Sequence, residues 1–314
     1  MRLRYPPIPL ALLGLLTLLA LPAQAEEGPP PTIAIIIDDM GVHWDNEQRL
    51  INLEQPLTLS FLPYRRYTRQ LAEAGNQRGK EIMLHSPMEN NARIGLGPGG
   101  LSMAMEAGEM AAVLRRSLAS VPHARGVNNH MGSLLTQQES AMGWVMDELA
   151  QHPVFFVDSR TIASTVAADM AESRNIPNLS RDVFLDHERD RDFIHSQFQR
   201  LLRQAREEGT AVAIGHPYEE TVSYLEEMLP QLDEMGYAVA TVSAVWAMRN
   251  GHVAMFQEEP SAYGGEPSAY GGEPSANGEE PEITQLKLRI AQLKTELDDM
   301  VIPVLPEQAA PARH

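Results

Sequence analysis

Residues Ile33-Ala34-Ile35-Ile36-Ile37-Asp38-Asp39-Met40-Gly41 constrain the fold more than any other stretch of this 314-residue chain. Five apolar residues end in two adjacent carboxylates and then a glycine. A run that is apolar at every position suits a strand buried on both faces, the environment of a parallel sheet. Burying two carboxylates at its end is costly without compensation. The pair therefore points to a metal site, a general base or both. The plain structural alternative is a helix-capping Asp with a solvated neighbour.

The rest of the chain repeats the pattern. Apolar, strand-like runs recur at 57–62, 81–84, 154–157, 182–185, 210–214 and 237–242, separated by segments of helical spacing. Thr136-Gln137-Gln138-Glu139 reads as a capping box opening one helix, and Ser243 as the cap of a final short helix through Met248. The Gly-rich stretch 95–100 lacks the lysine and spacing of a phosphate loop and reads as a surface loop. About eight strand–helix alternations imply a parallel sheet with helical crossovers. That many units over residues 32–256 suit an α/β fold of the (β/α) barrel kind better than an open sheet.

The ends differ in character. Arg2 and Arg4, an apolar run from Leu10 to Leu21 and Ala23-Gln24-Ala25 form the three regions of a secretory signal. Residues 1–25 are thus expected to be removed, giving an exported, periplasmic protein with no stable membrane span after cleavage; an uncleaved anchor is the alternative. Residues 257–281 hold Pro/Gly/Ser-rich repeats and read as a disordered linker. In 282–302, Ile283, Leu286, Ile290, Leu293, Leu297 and Met300 alternate by three and four, the pattern of a short heptad helix. It is expected to be solvated, docked on the body, or engaged with a second copy or another protein through 283–300. Residues 303–314 read as a disordered tail.

Charge and composition exclude some functions. A net charge of −17, from 25 Lys and Arg against 42 Asp and Glu, argues against a nucleic-acid partner and offers no basic patch for anionic lipid. The absence of cysteine removes thiol chemistry and disulfides. Neither a Gly-x-Ser-x-Gly elbow, a His-Glu-x-x-His helix nor a dinucleotide glycine fingerprint is present.

What remains is the set of polar residues that close the apolar runs: Asp38, Asp39, His85, Asn129, His130, Asp158, Asp186 and His216. Barrel sites are assembled from the C-terminal ends of strands. Each residue alone has a structural explanation, as a cap, a turn residue or a satisfied core histidine. Three of the ten histidines on one rim with two carboxylates instead suggest ligands for zinc or another divalent metal.

Six motifs carry a resemblance to a known family. They are Ile37-Asp38-Asp39-Met40-Gly41, Leu84 to Glu89, Asn128 to Ser133, Phe156 to Thr161, Arg181 to Asp186 and Ala213 to Pro217. In this order the chain resembles the divergent polysaccharide deacetylase (YibQ-like) family over residues 33–249. The resemblance implies a distorted (β/α)7-8 barrel, a divalent metal such as Zn2+, and a hydrolase that removes N-acetyl groups from an envelope glycan. It implies Asp38 as base, Asp39 as metal ligand and His216 as acid. The superfamily's usual histidine pair is broken here, since Glu89 stands four residues after His85; His130 is expected to supply the third ligand beside His85. Asn129, Asp158, Arg160 and Asp186 are expected to support these groups, with Asp158 and Arg160 alternatively pinning a loop. The competing readings are a non-catalytic metal- or glycan-binding scaffold and a metal-dependent phosphoesterase, for which the sequence shows no basic phosphate clamp.

Overall fold

The computed structural model describes residues 28–251. The expected signal, the linker, the heptad helix and the tail lie outside the described residues. Among those described, no helix is long and apolar enough to cross a membrane.

The strands are β1 (Thr32–Met40), β2 (Thr58–Phe61), β3 (Glu81–Met88), β4 (Ala124–Met131), β5 (Phe155–Asp158), β6 (Asn178–Ser180), β7 (Val183–Phe184), β8 (Thr210–Gly215) and β9 (Ala238–Val239). All their pairings are parallel, in the order β6-β5-β4-β3-β2-β1-β8-β7, with β9 added on β1. The two ends of this curled sheet belong to one run of chain. β6 pairs with β5; then Arg181 N–H reaches the Asp158 carbonyl, Asp182 N–H reaches Val212, and β7 pairs with β8. A single segment thus spans both edges, and the result is a distorted (β/α) barrel.

Side-chain alternation sorts each strand into two faces. Ile33, Ile35 and Ile37 of β1 pack with Leu50 of helix α1 (Trp44–Asn52), Leu71 of α2 (Thr68–Gln77) and Leu114 of α3 (Ala107–Ser120). Ala34 and Ile36 face the other way. They join Met83, Val157, Val212 and Ile214 in a second cluster that lines the lumen. The remaining helices are α4 (Glu139–Leu149), α5 (Ala167–Glu172), α6 (Arg191–Glu208), α7 (Glu219–Met228) and α8 (Val242–Arg249). Val242 and Val245 of α8 complete the lumen cluster, and Val242 N–H donates to Thr58 Oγ1 at the start of β2. Helix α8 therefore plugs the N-terminal mouth and leaves the C-terminal mouth open.

Several local expectations change. Thr136 does not cap α4: it lies in a 3-10 turn, and its hydroxyl donates to the Gly132 carbonyl at 2.8 Å. Helix α4 starts only at Glu139, so the Thr-to-Glu spacing is spent on the turn before it. Thr241, not Ser243, caps α8 by accepting from Ala244 N–H. Helix α7 ends at Met228 because Pro230 lacks the N–H to continue it. Strands β3 and β4 run further than their apolar cores, since pairing persists to Met88 opposite Met131. The strand-closing polar residues of these two strands are therefore inside the sheet.

The turn after β1 is braced by Glu47, which is fully buried. Its carboxylate accepts from the backbone N–H groups of Gly41, Val42 and His43 at 2.5, 2.8 and 2.5 Å. Gly41 has φ 102°, and a Cβ there would lie 2.4 Å from Thr68 Oγ1, so no other residue fits. Glu47→Ala would leave one buried and two partly buried donors without their acceptor. It is expected to destabilise the protein by about 3 kcal/mol, read as a lower urea unfolding midpoint with unchanged m-value.

Candidate metal centre

The alternation that separates core from lumen also builds the site. Continuing the inward parity of Ala34 and Ile36 places Asp38 in the lumen. The same step from Met83 gives His85, and from Ile214 gives His216. In β4, Asn128 and His130 share one face.

Asp39 has the wrong parity. Pairing between β1 and β2 shifts register between Ile37 and Met40, a β-bulge, and Asp39 adopts a left-handed backbone with φ 59°. A non-glycine residue there is strained. The bulge brings two successive carboxylates to one mouth, which an unbroken strand would not do.

The three expected ligands converge. Asp39 Oδ1 lies 2.9 Å from His130 Nδ1 and 3.3 Å from His85 Nε2, and the two nitrogens are 3.1 Å apart. Asp39 Oδ1 is buried yet makes no hydrogen bond of acceptable geometry. Tetrahedral ligands about 2.05 Å from zinc are about 3.3 Å apart, close to this triangle. One acidic and two imidazole donors on one side of a common point fit a small divalent cation, and these residues form a candidate metal site. Asp39 and His130 are partly exposed, and His85 and His130 line the cleft.

Asn128, whose role the sequence reading missed, fixes this set. It is fully buried, and its amide is saturated. Nδ2 donates to Asp38 Oδ1 at 2.8 Å and to Ser159 Oγ at 3.2 Å. Oδ1 accepts from Ser60 Oγ at 2.7 Å and faces His85 Nδ1 at 2.8 Å. Because the carboxylate of Asp38 can only accept, the amide orientation follows, and so does the tautomer of His85. Its Nδ1 carries the proton, and the Nε2 lone pair faces Asp39 and His130. The missed signal was parity: Asn128 stands two residues before His130 on the lumen face.

His216 is held from several sides. Its Nδ1 donates to Asp186 Oδ1 at 2.9 Å, and Asp186 Oδ2 accepts His216 N–H at 2.6 Å and Thr221 Oγ1 at 2.7 Å. The Tyr218 ring stacks on the imidazole at 5.2 Å, and Phe184 lies 5.5 Å away. Its Nε2 is 4.0 Å from Asp39 Oδ2. Asp186 thus holds the His216 ring and backbone in place. Asp158 does not: its two oxygens accept Arg160 N–H and Thr165 Oγ1, which pins the loop after β5. Asn129 does the same for two loops, through Ser159 N–H and the Met131 carbonyl. Arg160 contributes its backbone to this pinning, not its side chain. Glu89 turns away to hold Met103 N–H.

These contacts set the protonation states. Burial pushes the Asp38 carboxyl up, against the pull of His85, His216 and the Asn128 amide. Burial also raises Asp39, but the adjacent imidazoles of His130 and His85 outweigh it and hold it well below the usual carboxylate range. For His85, burial opposes the charge, while Asp38 and Asp39 overcome it and push the pKa up. His216 is likewise raised, with Asp186 prevailing over burial.

The fold and this cluster define a class: a parallel (β/α) barrel with an Asp–His–His candidate metal set at its C-terminal mouth. The chain belongs to the divergent polysaccharide deacetylase family, whose model matches residues 35–246. It is 32% identical over 202 residues to an uncharacterized protein of Haemophilus influenzae, covering 64% of this chain and 72% of that one. It is 34% identical over 200 residues to the uncharacterized protein YibQ of Escherichia coli K12, covering 64% of this chain and 63% of YibQ. A crystal structure of an uncharacterized protein from Agrobacterium tumefaciens C58 shares the fold, with a TM-score of 0.67 and 24% identity. The likeness covers 69% of this chain and 89% of that one.

Since His85 holds its proton to higher pH than a free imidazole, protons compete with a metal for Nε2 earlier on acidification. As pH is lowered, the zinc affinity of the metal-free protein, measured by calorimetry, is expected to start falling at a pH higher than the about 6.5 of an unperturbed histidine. An affinity that stays constant between about pH 8 and about pH 5 would rule His85 out as a ligand.

Proposed function

We propose that this protein is a metal-dependent hydrolase that removes an N-acetyl group from a sugar of an envelope polysaccharide or peptidoglycan fragment. One observation carries the reading: Asp39, His85 and His130 converge on a single point, with Asp38 and His216 in the same cleft of about 340 Å³. The family supports it.

In this reading Asp39 Oδ1, His85 Nε2 and His130 Nδ1 hold Zn2+. When bound, the ion supplies Lewis acidity toward the amide carbonyl and the attacking water. Asp38 accepts the proton of that water. Its burial raises its basicity, and the Asn128 amide fixes the carboxylate in place. His216 delivers a proton from Nε2 to the departing sugar amine. Asp186 stabilises the imidazolium from the Nδ1 side, so the acid is charged at higher pH than a free histidine.

Three variants test the roles. Asp39→Asn is expected to lose bound metal, measured by elemental analysis of the purified protein. Asp38→Asn should keep one metal per chain, yet release acetate from an acetylated glycan about a hundredfold or more slowly. In Asp186→Asn the His216 pKa falls, so the alkaline limb of kcat/KM against pH should move to lower pH. Metal-loaded wild-type protein that is inert across a panel of acetylated glycans would favour the scaffold reading instead.

A further inference from the structure

The cleft also holds cations that the reaction above does not use. Arg160 and Arg181 both line it. Arg181 is fixed in place: Nε donates to the Ser159 carbonyl at 2.7 Å and one terminal nitrogen to the Arg160 carbonyl at 3.0 Å. Its guanidinium lies 5.0 Å from the centre of the Phe184 ring, itself a cleft residue. The other terminal nitrogen has no hydrogen bond among the described residues, and no carboxylate lies within ion-pair distance of the guanidinium.

Arg160 is exposed, and its side chain has neither ion pair nor hydrogen bond among the described residues. Its backbone is left-handed, φ 49°, and its N–H is anchored on Asp158 Oδ1. Burial pulls the pKa of Arg181 down and Arg160 adds to this, while Asp38 and Asp158 oppose it. Several surface arginines of this chain also lack an ion pair among the described residues, but Arg160 and Arg181 are the ones that line this cleft. Arg49, Arg115, Arg174 and Arg249 are each matched with an acid within 3.0 Å. Arg181 is tied to the Arg160 carbonyl and both side chains line one cleft, so two cations face the same opening. Guanidinium forks match the oxygens of carboxylate and phosphate groups.

We propose that Arg160 and Arg181 form a clamp for an anionic oxygen group, carboxylate or phosphate, carried by the sugar that enters this cleft. The inference rests on the deacetylase reading for its choice of an acetylated sugar, but not for the clamp itself.

The test is equilibrium binding by calorimetry to the full chain, both metal-free and zinc-loaded. The probes are a neutral N-acetylglucosamine disaccharide, N-acetylmuramic acid and N-acetylglucosamine 6-phosphate. At least one anionic sugar is expected to bind about tenfold tighter than the neutral one. The preference should persist without metal, and which anion prevails separates carboxylate from phosphate. Arg160→Gln removes only an exposed side chain and should shrink the anionic-to-neutral ratio by most of that factor. Arg181→Lys keeps the charge but loses the fork, and is expected to weaken the anion more than the neutral sugar. Equal affinity for all three sugars, or a preference that survives both substitutions, overturns the clamp. Acetate release followed in parallel separates the two ideas. Anion preference without turnover leaves the clamp and sinks the deacetylase; turnover without preference does the reverse.

Discussion

The amide of Asn128 is the contact on which the site depends. It has two donors and two acceptor positions, and all four are used by side chains from β1, β2, β3 and the loop after β5. A buried amide with every valence met is rigid, because any rotation leaves at least two polar groups unsatisfied in a low-dielectric interior. That rigidity passes to its neighbours. It sets which nitrogen of His85 carries the proton, and it holds the Asp38 carboxylate beside that ring. The barrel thus delivers a defined tautomer as well as a set of positions.

A second constraint sits in β1. The strand must present two consecutive carboxylates to one mouth, which alternation forbids. The bulge and the left-handed Asp39 satisfy both demands, and Glu47 gathers the three N–H groups that follow. Strain at a site of this kind persists only where its surroundings over-determine it. Here the surroundings are the seven buried residues Thr32–Asp38 on one side and a buried carboxylate cap on the other.

Much of this was legible from period-two alternation. Asp38, His85, His130 and His216 fall on the inward parity of their strands, so a reader who finds the strands finds the residues. Asp39 is on the outward parity, and only its place in a motif singled it out; no spacing rule predicts a bulge. Asn128 was passed over because an asparagine beside a histidine has no distinctive pattern, although its parity was available. Arg181 is placed by the junction of β6 and β7, which lacks the periodicity that reveals longer strands. The Thr136 box misled because its four residues satisfy the rule locally, while the 3-10 turn and the Gly132 carbonyl claim the hydroxyl first.

The shared run of β6 and β7 divides the barrel into two mechanical halves. The candidate metal ligands come from β1, β3 and β4, which lie in one run of adjacent paired strands. Arg181 and Phe184 sit on the opposite side, where each half of one short segment is tied to a different neighbour by only a few hydrogen bonds. The seam can therefore take up a change in width, while the ladder between β1 and β4 cannot. The candidate metal ligands thus sit on the continuously paired wall, and Arg181 and Phe184 on the sparsely paired one. A change in width at the β6–β7 run would therefore leave the Asp39–His85–His130 triangle where it is.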